Sequence, residues 1–98
     1  MEKVTPPKVR LLASGTELVA KQMQAKAGDL LPKHLANMES IVFIHEGEII
    51  LDMHGEDKPM KSGTAIIIPP EVIHQIQVLS DFKGIHFMPK DIKFQFFS

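Results

Sequence analysis

Apolar and polar positions alternate along this chain over short stretches bounded by turn residues. In Glu48–His54, the apolar Ile49, Leu51 and Met53 alternate with Glu48, Asp52 and His54, broken only by Ile50. In Val72–Leu79, His74, Ile76 and Val78 alternate with Gln75 and Gln77. Successive side chains of a strand point to opposite faces, so a period of two predicts strands with one face on a core. Leu18–Ala27, Ile41–Ile44, Thr64–Ile68 and Lys83–Met88 complete the predicted set, punctuated by Gly28-Asp29, Glu46-Gly47, Pro69-Pro70 and Pro89. Short strands at this spacing predict an all-β sandwich or barrel. The composition of Glu17–Ala27 is helix-like, but Met23, Ala25 and Ala27 set against Gln22, Gln24 and Lys26 favour a strand. Pro6-Pro7 marks a lead-in, and Glu56, Asp57, Lys58 and Lys61 read as a solvated loop. Phe94, Phe96 and Phe97 in the tail are too apolar for water; they predict a last strand or packing on a second subunit.

Composition narrows the function classes. A chain of 98 residues makes one domain, here read as spanning residues 1–98 with its core at about 18–89. With 11 Lys+Arg against 12 Asp+Glu, it has no basic footprint for nucleic acid or anionic lipid. The absence of Cys removes disulfides, thiolate metal sites and cysteine nucleophiles. No apolar run follows the charges of Met1–Lys8, and the longest apolar runs, Ile41–Ile44 and Ala65–Ile68, fall far short of a span of about 20 residues. The expectation is a cytoplasmic protein with neither membrane nor nucleic-acid partner.

Candidate chemistry rests on His34, His45, His54, His74 and His86, with no Gly-rich phosphate loop, nucleophile elbow or HExxH beside them. Gly28-x5-His34-x-Ala36 followed by Ser40-x6-Gly47, and then Gly63-x5-Pro69-x-Glu71-x2-His74, keep the spacing of two linked motifs. Together they resemble the cupin family, over about Leu18 to Pro89. The resemblance implies a small single-domain cupin, a double-stranded β-helix or jelly-roll barrel. It also implies a divalent transition metal held by three histidines and a glutamate. Carried over by position, His34 and His74 are two of those histidines, whereas the other histidine falls on Ala36 and the glutamate on Ser40. Glu71 stands at a family glycine and Val78 at a family asparagine. Half of the usual ligand set is therefore absent, and two imidazoles alone hold a metal weakly.

Strand parity bears on which residue could be a third ligand. Glu39 is one residue out of phase with Ser40, Val42 and Ile44, so only a bulge would turn it inward. His86 would serve if its face pointed in, but Ile85 and Phe87 read as the more natural core face. The Met38 thioether would suit copper(I), although gap filling is the ordinary task of a methionine. His45 and His54 read as solvent-facing. The same parity sets an inner wall of Met23, Ala25, Ile49 and Val78 around a pocket of Ala36, Ser40, Val42, Ile44, Leu51 and Ile76. The small Ala36 and Ser40 leave room beside His34 and His74 for a small, mostly apolar ligand with one polar group.

Two function classes follow. One is a small-molecule-binding or sensor module with a partly lost metal site. The other is a metal-dependent oxygenase or isomerase acting on a small acid or sugar through His34 and His74, or a metal-free enzyme using one of them as general base. A homodimer is expected, since cupins commonly pair through exposed strand edges.

Overall fold

The computed structural model describes residues 3–97. Its strands are β1 (Lys8–Ser14), β2 (Leu18–Ala25), β3 (Lys33–Ala36), β4 (Ser40–Glu46), β5 (Glu48–Met53), β6 (Glu56–Lys61), β7 (Ala65–Ile68), β8 (His74–Val78), β9 (Phe82–Pro89) and β10 (Phe94–Phe97). They form two five-stranded sheets, ordered β1-β2-β9-β4-β7 and β10-β3-β8-β5-β6. All strand pairs are antiparallel. The sheets pack face to face as a jelly roll. Among the described residues no helix is long and apolar enough to cross a membrane.

Alternation places the core. Ile44, Ile49, Leu51, Ile68, Val78 and Phe82 are at most 2% exposed and fill the space between the sheets. Burying one such side chain contributes roughly 1.5–3 kcal/mol. Gly84 faces inward from β9, and the ring of Phe82 occupies the space where a side chain would stand. The turns are equally specified. Gly47 adopts φ +88° against the backbone of Asp81, where any Cβ would collide with the Asp81 carbonyl. His54 (φ 59°) and Gly55 (φ 72°), both in the left-handed backbone region, form a two-residue hairpin turn that suits the right-handed twist of the strands it joins.

Three readings need correction. Glu56, Asp57, Lys58 and Lys61 are not a loop but most of β6, which pairs with β5 from Glu48↔Lys61 to Met53↔Glu56. Charges and Pro59 suit an edge strand, whose free side faces water. A strand precedes Leu18: β1 pairs with β2 along nearly its whole length and is exposed throughout. His86, not Ile85 or Phe87, occupies the inner face of β9: His86 is 8% exposed and Phe87 44%. The tail forms a last strand, β10, alongside β3.

Candidate functional site

His34 and His74 are directly opposed across β3 and β8, so both rings leave the sheet on the same face. Their centroids lie 4.3 Å apart. Each Nδ1 is 3.0 Å from a backbone carbonyl two residues earlier, Pro32 for His34 and Val72 for His74. A carbonyl oxygen only accepts, so Nδ1–H donates in both and Nε2 keeps the lone pair. His86 approaches from the other sheet, beside Lys21 of β2 and Val42 of β4 in the register. Its Nε2 lies 2.8 Å from Oγ of Ser40.

Burial pushes all three imidazoles below the ordinary value of 6.5. The backbone hydrogen bonds partly offset this for His34 and His74. His86 falls furthest, to about 4, through burial and then the charges of His34, His74 and Lys21. At neutral pH the cluster is therefore uncharged. Two lone-pair nitrogens side by side can accept hydrogen bonds from a ligand O–H or N–H, or take up a proton.

The tail completes the enclosure. Phe94 lies opposite Ala36 and Phe96 opposite His34, so both rings stand on the inner face. The His34 ring centroid is 5.6 Å from that of Phe94 and 5.1 Å from that of Phe96, and Phe94 reaches His86 at 6.0 Å. The turn into β10 is pinned by the Asn37 side chain, which accepts from Lys93 N–H at 2.8 Å, while Asn37 N–H donates to the Lys93 carbonyl.

These residues surround a mouth of about 330 Å³. Met23, Leu31, Ile76 and Met88 wall it, His34 and His86 stand at its inner end, Phe94 and Phe96 close one side, and Lys21 and Pro6-Pro7 form the rim. Beyond it lies a chamber of about 30 Å³, large enough for a water, lined by all three histidines with Val42, Leu51 and Ile76. A wider groove of about 540 Å³ between β6 and β7 has no histidine on its lining and no comparable chemistry.

The structure thus gathers His34, His74 and His86 around one cavity, with Val42, Leu51 and Ile76 on its wall. Ala36, Ser40 and Ile44 are buried but line neither compartment. Glu39 is exposed, and Met38 is half-buried away from the lining. His45 lies 4.0 Å from Glu46 on the surface, and His54 is exposed. Sequence reasoning missed Lys21, Met88, Phe94 and Phe96 as lining. Parity carried the signal for Lys21, which is in phase with Met23 and Ala25.

A resident metal can be tested against this donor set. The two positions that would complete the ligand shell are Ala36 and Ser40, neither an imidazole nor a carboxylate. His86 comes from the other sheet, and its Nε2 is already tied to Ser40. Among the described residues no group of three or more His, Asp or Glu is arranged to hold an ion. The donors do not fit the shell of four protein ligands.

Comparison with known proteins agrees with this geometry. The family model of the cupin domain matches residues 21–87, so the chain belongs to the cupin family. Among solved structures, a cupin superfamily protein from Desulfitobacterium hafniense is similar with TM-score 0.79 and 14% identity, covering 93% of this chain and 84% of that one. A conserved protein of unknown function from Streptococcus pyogenes gives 0.75 and 18%, covering 85% and 73%. The salicylate 1,2-dioxygenase of Pseudoaminobacter salicylatoxidans, with gentisate, gives 0.79 and 14% over 90% of this chain. This chain spans only 28% of that enzyme's length. At these identities the likeness is one of fold. No curated protein matches the sequence.

Proposed function

We propose that this cupin is a small-molecule-binding module whose ligand enters the cavity between the sheets. One observation carries the reading: a 330 Å³ apolar recess ends on uncharged histidines instead of a filled core. Its size lies at the small end of the ~300–1,000 Å³ typical of ligand sites. Convergent polar atoms on an otherwise apolar wall are what orient a bound molecule. The proposed ligand contacts are His34, His74 and His86, with Ile76 and Leu51 behind them. A cytoplasmic location and self-association as a homodimer belong to the same proposal.

The test uses a neutral probe. Benzyl alcohol, titrated into protein with labelled methionine methyl groups, is expected to shift Met23 and Met88 and to lose that effect in Ile76→Phe, which fills both compartments. Equal shifts in the filled variant, or none in either, would overturn the cavity as the binding site.

A second reading, a metal-dependent enzyme, has one observation in its favour: the lone-pair Nε2 atoms of His34 and His74, each oriented by a backbone carbonyl as ligating imidazoles usually are. Elemental analysis separates the two readings. Protein purified without chelator is expected to carry well under one equivalent of transition metal. Near one equivalent, lost in the double variant His34→Ala, His74→Ala, would put the enzyme reading ahead.

A further inference from the structure

We propose that the cavity selects a small carboxylate with a planar apolar body, its acid group paired with Lys21 at the rim and its body between Met23 and the Phe94–Phe96 wall. This rests on the cavity being the binding site and adds the sign of the ligand's charge. Among the described residues Lys21 is the only charged side chain on the lining, so the cavity has a positive mouth and no acidic counterpart there. Strand register fixes the placement. Lys21 is in phase with Met23 on the inner face of β2 and lies opposite His86. Among the described residues no carboxylate stands within ion-pair distance of its ammonium. That leaves its donors available to an incoming anion.

The orientation follows from the other polar groups. Nε2 of His34 and of His74 carries a lone pair, because each Nδ1–H is committed to a carbonyl. A lone pair repels a carboxylate, so the acid stays at Lys21 and the inner end receives the apolar body or a hydroxyl that can donate. Phe94 and Phe96 lie with ring planes 38° apart and are partly exposed toward this space, a surface suited to stacking against a flat ring. A pairing between an ammonium and a carboxylate is charge-assisted and so stronger than its neutral amide counterpart.

Benzoate, benzamide and benzyl alcohol share a ring and differ in charge, and binding of each is followed through amide and methionine-methyl NMR shifts. Benzoate is expected to bind about two- to fivefold tighter than benzamide, with shifts centred on Lys21, Met23 and His86. Lys21→Gln is expected to abolish that advantage and Lys21→Arg to keep it; the side chain is exposed, so both variants fold. Benzoate binding no tighter than benzamide, or a preference that survives Lys21→Gln, would overturn the anion assignment while benzyl alcohol binding keeps the cavity. If none of the three probes shifts the cavity residues, the cavity reading and this assignment fall together.

Discussion

A buried histidine stores a response to acid, and His86 stores the most here. Its folded-state pKa is depressed to about 4, whereas the unfolded chain titrates near 6.5. Between those values the unfolded state binds the extra proton, so stability is full above pH 6.5 and falls as pH drops toward 4. The contribution lost is on the order of 3 kcal/mol. His34 and His74, also depressed, add to the same slope. In His86→Gln the amide can still meet Ser40 but does not titrate. Urea unfolding of this variant is expected to show a clearly shallower fall between pH 6.5 and 4 than the wild type. Parallel profiles would mean that His86 is solvated, contrary to its 8% exposure. Its inward face was hidden from the sequence by a local rule. Ile85 and Phe87 are the more apolar neighbours, and the rule assigns them to the core. The rule fails because the outer face of this sheet is apolar as well.

At the scale of elements, legibility followed how sharply each strand distinguishes its two faces. Strands β5 and β8 have one buried face and alternate in sequence, so both their existence and their parity were readable, whereas β4 buries one face through the apolar run Ile41–Ile44 and its parity was legible only from the motif spacing. Strand β6 was not: as an edge its charges and Pro59 satisfy a strand without resembling one. Strand β1 alternates through Lys8, Val9, Arg10 and Leu11, but a register shift between Leu11 and Ala13 interrupts the pattern. The histidine pair was legible from motif spacing, while the enclosure supplied by β10 depends on a pairing some sixty residues distant in sequence, which no local pattern encodes. That strand has a measurable role. Phe94→Ser with Phe96→Ser removes the aromatic wall around His34 while leaving the β3 pairing possible. The His34 pKa is expected to rise toward 6.5 as water reaches the ring, read from its ring-nitrogen NMR titration, with a stability loss of about 1–3 kcal/mol because both rings are only partly buried. An unchanged His34 titration would show that the depression comes from the sheets alone.

For the whole molecule the two outer faces differ in kind. The outer face of the sheet containing β3, β8 and β5 is mixed, with Lys33, Gln75, Gln77 and Asp52 beside Leu35 and Ile50. The other sheet presents a continuous apolar row, because Ile67, Ile41, Phe87 and Ala20 are successive partners across β7, β4, β9 and β2. Ile67, Ile41 and Phe87 are 47%, 39% and 44% exposed, and Phe43 and Ile85 form a second row beside them. The accessible surface is 6234 Å², against about 5,600 Å² for a compact monomer of 11.0 kDa. An uncharged row suits pairing about a two-fold axis, since each residue meets another apolar residue of the same patch and no like charges are brought together. The expected outcome is a homodimer joined through this face instead of through the Phe-rich tail, which is turned inward over the cavity. Sedimentation equilibrium at about 100 µM should give twice the chain mass, and Phe87→Lys should weaken self-association at least a hundredfold by burying an unpaired ammonium in the apolar face of each copy. Wild-type protein sedimenting at the monomer mass would sink the dimer, and a dimer indifferent to Phe87→Lys would move the interface to the exposed edge of β1. Because Phe87 and His86 are consecutive on β9, the strand that would carry the interface on one side carries the cavity's histidine on the other. A dimer built on this face would therefore brace the cavity from outside without closing its mouth, which opens between the sheets at Lys21 and Pro6-Pro7.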